Sequence, residues 1–284
     1  MTFTTTMTVD ELAEHLTNPN WVVLDARFGL DDESLGAQLY AEGHLPGAHQ
    51  ADLGRHMAGP IVPGVTGRRP FPEARDFAQT LTAWGIDDDT QVVVYDGQSG
   101  MMAGARLWLM LRWMGHDAVA VLDGGYAAWS LAGLPVSTEI PEPVQRSTPF
   151  TARVRPELLA DVAEVDVIRA DPAYRLLDAR SDQAFHGEGP AHDPVVGHIP
   201  GAVLCDRAHN TGADGHFKSV DQLRQQFLEV MGEVPIDRVV VYCGSGVTAA
   251  QNVLAMEIAG LSGARMYVGS WSEWITDPER GVEL

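Results

Sequence analysis

Lysine is almost absent. Lys218 is the single lysine among 284 residues, and 19 basic side chains in all stand against 39 acidic ones, for a net charge of −20. That balance repels nucleic acid and anionic membranes, where binding rests on neutralising phosphates. Lys218 lies in DGHFKSVDQL and reads as a solvated side chain. Schiff-base chemistry and a phosphate loop ending in Gly-Lys-Ser/Thr are thereby left with almost no candidate. Cysteine is nearly as scarce: Cys205 and Cys243 can build neither a disulfide framework nor a four-thiolate zinc site, and they suit a reducing compartment. No apolar run approaches the roughly 18 to 20 residues of a membrane span. The opening MTFTTTMTVDELAEHL has neither the basic nor the apolar region of a secretory signal. The expectation is a soluble, globular, cytoplasmic protein, long enough for one large domain or two of about 140 residues.

What is present is a repeat. WVVLDAR at 21–27 recurs as YRLLDAR at 174–180, GHLPGAH at 43–49 as GHIPGAV at 197–203, and QVVVYD at 91–96 as RVVVYC at 238–243. Three blocks in the same order, about 150 residues apart, indicate a duplicated domain; solenoid repeats would be far shorter. Between the copies, LAGLPVSTEIPEPVQRSTPF carries four prolines without helical or strand periodicity, the pattern of an extended linker. The expected division is a first domain at 1–133, a linker at 134–155 and a second domain at 156–284.

Within each copy strands alternate with helices. Thr8 to Glu11 has capping-box spacing, with Leu12 and Leu16 on one face of the helix that follows. The VVVY runs at 92–95 and 239–242 are continuously apolar and β-branched, as strands covered on both faces require. After the second run Val247, Ala250, Leu254, Ile258 and Leu261 recur at helical steps, predicting a helix with one face on the sheet. The fold class expected is α/β: two tandem domains, each a mostly parallel sheet flanked by helices. Ligands in such sheets bind beyond the carboxyl ends of the strands, which is where Cys243 falls.

Cys243-Gly244-Ser245-Gly246-Val247-Thr248 lies between a buried strand and a helix N-terminus. Its two glycines allow a tight turn in which the N–H groups of Gly244, Ser245, Gly246, Val247 and Thr248 converge on one atom, the sulfur. A thiol so placed ionises readily, and its thiolate is both nucleophile and stabilised anion. The first copy has Asp96 at this position, with a turn to the next helix about two residues longer; aspartate there reads as a turn and capping residue.

These blocks, together with LDGGYAAW at 122–129 and YVGSWSEW at 267–274, resemble the tandem-domain rhodanese-like sulfurtransferases over nearly the whole chain. CGSGVT resembles the 3-mercaptopyruvate form of their active loop. The resemblance implies ping-pong transfer, in which the Cys243 thiolate takes a sulfane sulfur from a small donor, thiosulfate or 3-mercaptopyruvate. It holds that sulfur as a persulfide and passes it to cyanide or to a thiol, a thioredoxin-like reductant included. No cofactor and no metal is implied, and the first domain is expected to be non-catalytic. Two modules of this kind also suit a second reading, a sulfur carrier or regulatory binding protein that does not turn over small donors. Related loops in phosphatases use Cys-x5-Arg, the arginine clamping an oxyanion; here that residue is Ala249.

Two substrate arginines that the resemblance implies are missing. Ala184 stands at the first of their positions, and no arginine occurs between Arg180 and Arg207. The candidates to supply the lost charge are Arg69, beside Arg68 in TGRRPFP, and His186, in a stretch that also holds His192 and His198. The three histidines also invite a metal reading, for which their loop spacing is unspecific. His44, in GHLPGA, is a candidate auxiliary to Ser245, by likeness to a first-domain histidine of the mercaptopyruvate enzymes. Asp25 with Arg27 and Asp178 with Arg180 recur in both copies and read as structural ion pairs. Trp271 and Trp274 are expected beneath the active loop, and Cys205 is expected to be buried and inert.

Overall fold

The structure is a computed structural model that describes residues 2–30, 32–142, 148–188 and 192–284. The chain divides into two compact units. The first comprises Met1–Gly59, Pro72–Arg155 and Thr211–Phe217; the second comprises Pro60–Phe71, Pro156–Asn210 and Lys218–Leu284. Each half of the sequence therefore gives a short segment to the other unit.

The first unit is built on strands β1 (Thr6–Met7), β2 (Trp21–Asp25), β3 (His49–Gln50), β4 (Gln91–Tyr95) and β5 (Val119–Leu122), the second on β6 (Leu159–Ala160), β7 (Arg175–Asp178), β8 (Val203–Leu204), β9 (Val239–Tyr242) and β10 (Arg265–Tyr267). The sheet orders are β1-β5-β4-β2-β3 and β6-β10-β9-β7-β8, the same permutation twice. Every pairing is parallel, with Val93 opposite Val23 in one sheet and Val241 opposite Leu177 in the other. The VVVY runs are the central strands and are wholly buried, which is why they carry no alternation of polar residues.

Local signals act as their spacing predicts. The Thr8 hydroxyl accepts the Glu11 N–H while the Glu11 carboxylate accepts the Thr8 N–H, closing a capping box on the helix Val9–His15. The helix Ala250–Ile258 differs from its expected form. Val247 stays in the preceding turn, and residues 250–256 are all buried. The second face is covered because the helix also packs against the helix Val220–Met231 and the turn Arg207–Asn210. There Asn252 donates to the Cys205 carbonyl at 2.8 Å and accepts from Asn210 at 2.6 Å. The turns before the two equivalent helices differ less than their sequences suggest: one helix begins at Gly104, eight positions after Asp96, and the other at Ala250, seven after Cys243.

Residues 143–147 of the expected linker, Pro143 among them, lie outside the described residues. The described remainder runs along the first unit: Ser137 exchanges backbone hydrogen bonds with His44, and the N–H groups of Arg153 and Arg155 bond the carbonyls of Met114 and Trp113.

The repeated blocks meet in one network per unit. Arg27 grips both Asp25 oxygens at 2.6–3.0 Å and reaches the Gly43 carbonyl, while the Tyr95 hydroxyl donates to Asp25 at 2.7 Å and accepts the Leu45 N–H. Arg180 grips Asp178 in the same way and reaches the Gly197 carbonyl, and the Tyr242 hydroxyl accepts the Ile199 N–H. LDAR, GH-x-PGA and VVVY are thus three parts of one buried polar cluster at the carboxyl end of the sheet. Replacing one partner of such a pair strands the other charge out of water, at a cost of about 3–5 kcal/mol. Asp25→Ala is expected to lower unfolding stability by that amount in urea denaturation, and a loss below about 1 kcal/mol would show that Arg27 finds other compensation.

Candidate active site

Cys243 follows β9 directly, and its side chain is 1% exposed. The turn holds its shape because a neighbouring segment bonds it: the N–H of Trp271 donates to the Cys243 carbonyl at 3.0 Å and that of Ser272 to the Gly244 carbonyl at 2.9 Å. Gly246 has φ +74°, and a Cβ there would collide with the Val268 carbonyl, so this position admits glycine alone. Beneath the turn, Trp271 and Trp274 pack with Tyr242 and Tyr267 in the core, as their sequence position predicts. Their indole N–H groups donate to the carbonyls of Val195 and Gly281.

Two opposed influences set the ionisation of Cys243. Burial, the larger single one, disfavours the thiolate. Hydrogen bonds from the Thr248 hydroxyl and from the N–H groups of Ala249, Ser245 and Thr248 outweigh it together, holding the thiol below its ordinary value. Of the expected donors Gly244, Ser245, Gly246, Val247 and Thr248, the groups that favour the thiolate most include Ser245 and Thr248, and Ala249 acts with them. Cys205 has no such cradle, and burial beside Asp206 and Asp178 pushes its thiol up to about 12.

The first unit repeats the turn around a carboxyl group whose ionisation burial disfavours more than its N–H donors favour it. Asp96 is fully buried, and its carboxylate accepts the N–H groups of Gln98 and Gly100 at 3.1 Å, Met102 at 2.9 Å and Gly104 at 3.1 Å.

Beside the Cys243 turn the second unit carries a small pocket of about 80 Å³, lined among others by Arg68, Arg180, Ala184, His192, Gly244 and Trp271. A Cβ built on Gly244 would lie 3.7 Å from the Arg68 guanidinium and 4.0 Å from Cδ of Arg180. Both guanidinium groups attract the Cys243 thiolate. Arg68 is held by an ion pair with Asp193 and by its N–H on the Ser272 hydroxyl at 3.0 Å. Arg180 lies over the Trp271 ring at 5.0 Å.

The other candidate residues fall elsewhere. Arg69 is half-buried and does not line this pocket; its neighbour Arg68 does. His186 caps the short helix Asp182–Phe185 on the surface, its Nδ1 3.0 Å from the Asp182 carbonyl, and the histidine that reaches the pocket is His192. His198 stacks on Phe185 and bonds its carbonyl at 2.9 Å. His44 is fully buried in the first unit, stacked on Tyr40, with its ring nitrogens 2.8 and 3.0 Å from the carbonyls of Tyr40 and Glu139. Both ring nitrogens are thus occupied by backbone.

The Rhodanese-like domain matches the chain twice, over residues 8–132 and 161–277. The chain belongs to the tandem-domain rhodanese-like sulfurtransferases. It is 46% identical over 277 residues to the probable 3-mercaptopyruvate sulfurtransferase of Pseudomonas aeruginosa, covering 97% of this chain and 96% of that one. It is 35% identical to the putative thiosulfate sulfurtransferase SseB of Mycobacterium tuberculosis, covering 92% and 89%. The crystal structure of SseA from Escherichia coli, solved as a 3-mercaptopyruvate sulfotransferase, superposes with a TM-score of 0.79 at 30% identity, over 95% of this chain and all of that one.

This rhodanese cradle predicts a pH profile. A thiol held below its ordinary value is already ionised where a free cysteine, at about 8.5, is not. The rate of alkylation of Cys243 by iodoacetamide is therefore expected to reach half its plateau clearly below pH 8.5, with Cys205 silent throughout. A midpoint at or above 8.5 for the Cys243 peptide would show that burial outweighs the donors.

Proposed function

We propose that Cys243 carries sulfane sulfur between a small anionic donor, 3-mercaptopyruvate or thiosulfate, and a thiol or cyanide acceptor. The observation that carries this reading is the buried sulfur at the end of β9, with the Thr248 hydroxyl and the N–H groups of Ala249, Ser245 and Thr248 turned toward it and favouring its ionised form. Such a cradle serves a charge that resides on one atom. The names of the two relatives divide between the same two donors.

The chemistry balances without a cofactor. The Cys243 thiolate attacks the outer sulfur of the donor and a sulfur–sulfur bond forms. The donor's own bond to that sulfur breaks, and its electron pair leaves as sulfite from thiosulfate, or as pyruvate enolate, which takes up a proton, from mercaptopyruvate. An acceptor nucleophile then attacks the outer persulfide sulfur and returns the Cys243 thiolate. Arg68 and Arg180, which line the pocket beside Gly244, supply a local positive wall in a protein of net charge −20. A cytoplasmic setting with a thioredoxin-like dithiol as acceptor suits two buried free cysteines. No helix among the described residues is long and apolar enough to cross a membrane.

Cys243→Ser is expected to abolish transfer to cyanide and to remove the added sulfur mass from its peptide after incubation with either donor. Cys205→Ser should do neither. Substantial residual transfer in Cys243→Ser would overturn the reading, and loading without turnover of either donor would favour the carrier alternative. For the donor pocket, Ala184→Arg is expected to raise kcat/KM for mercaptopyruvate by about tenfold, and Arg68→Ala to lower it by one to two orders of magnitude, roughly the worth of one charge-assisted hydrogen bond. No effect from Arg68→Ala would remove that arginine from donor binding.

A further inference from the structure

Of the two guanidinium groups beside Gly244, one is committed to the scaffold and the other is not. Arg180 grips both oxygens of Asp178, which is 0% exposed, and donates to the Gly197 carbonyl at 2.8 Å. Freeing it would strand a buried carboxylate. Arg68 is placed by its backbone instead. Its N–H donates to the Ser272 hydroxyl at 3.0 Å, and a Cβ on Gly67 would collide with that hydroxyl and with the Gly269 carbonyl. The segment Pro60–Phe71, part of the second unit, therefore lies directly on the residues that bond the Cys243 turn. Beyond that fixed backbone, the Arg68 side chain has one carboxylate partner among the described residues, Asp193.

Asp193 lines the same cavity as Arg68 and Gly244, with Glu188 beside it, and its side chain is 12% exposed. The cavity that would receive an anionic donor thus carries two carboxylates of its own, and the guanidinium that the donor would use already holds one of them. Ala184 and the arginine-free stretch from 181 to 206 supply no second guanidinium that could take a donor while Asp193 stays. An anion on the Arg68 fork therefore competes with Asp193 for the same N–H groups. We propose that Asp193 sets the donor affinity of this site: its carboxylate stands in for the donor's anionic group on Arg68, so that binding exchanges one anion for another on the same guanidinium. The apparent affinity is then the intrinsic one reduced by the fraction of molecules in which Arg68 is released. The inference rests on the reading of this cavity as the donor pocket.

Two variants of the full chain, Asp193→Asn and Asp193→Ala, test this with thiosulfate as the probe. Its Kd is measured by calorimetry with Cys243→Ser added, so that no sulfur moves, and its KM and kcat with Cys243 in place. Both variants are expected to bind thiosulfate roughly tenfold more tightly, the gain if Arg68 is released in about one molecule in ten, and to lower KM in step while kcat stays the same. The salt response should change as well. With Asp193 present one ion pair breaks as another forms, so raising KCl from about 0.05 to about 0.5 M should move Kd little; in Asp193→Asn binding adds an ion pair, and Kd should rise steeply with salt. Weaker binding in both variants, the direction expected of Arg68→Ala, would show that Asp193 holds Arg68 ready for the donor and would overturn the proposal. An unchanged Kd with the wild-type salt response would overturn it too. Transfer that survives Cys243→Ser, alongside the expected order of Kd values, would overturn the carrier reading alone, so the two failures are distinguishable.

Discussion

A sulfur that is 1% exposed ionises more readily only where fixed dipoles replace the water it has lost, and the turn after β9 supplies such dipoles. Burial opposes ionisation of Cys243 more than any single neighbour favours it, and several donors acting together reverse the balance. The donors are mostly backbone, so they cannot rotate away, and they are held by the turn. The turn depends in its turn on the glycine at 246 and on the N–H bonds from Trp271 and Ser272. The aromatic core below keeps those residues still.

The duplicated unit shows what belongs to the scaffold and what belongs to the chemistry. The Asp–Arg–Tyr clusters occur in both units with nearly the same distances, and so do the sheet order and the bonds onto the turn. These features hold the carboxyl ends of two strands together whatever follows them. The cradle itself is also repeated, but in the first unit a carboxylate, Asp96, is tied into it by four N–H groups. That carboxylate is a fixed internal ligand with no sulfur to transfer. The chemical difference between the units centres on one position, where Cys243 stands in place of Asp96 at the head of a turn one residue shorter.

Electrostatics near the pocket follow the same economy. The chain as a whole repels anions, yet Arg68 and Arg180 are brought beside Gly244 by different means. Arg180 is positioned by its own block, through Asp178. Arg68 arrives because Pro60–Phe71 packs with the second unit and is anchored there by Asp193 and Ser272.

Much of this was legible in the residues themselves. The repeat, the parallel strands, the capping box at Thr8 and the turn after Cys243 follow from local rules: apolar runs, glycine spacing and side chains that bond their own backbone. Other features could not be read in this way. Arg69 and Arg68 are adjacent and chemically alike, and His186 and His192 share one loop; which of each pair lines the pocket depends on the path of the chain through space. His44 looks available in sequence, and only the fold surrounds both its ring nitrogens with carbonyls. Periodicity and turn chemistry act between near neighbours, so the sequence by itself determined the elements, the duplication and the placing of Cys243 at the end of a buried strand. The charges that face that sulfur, on Arg180 and Arg68, stand 63 and 175 residues earlier in the chain, and only tertiary packing decided them.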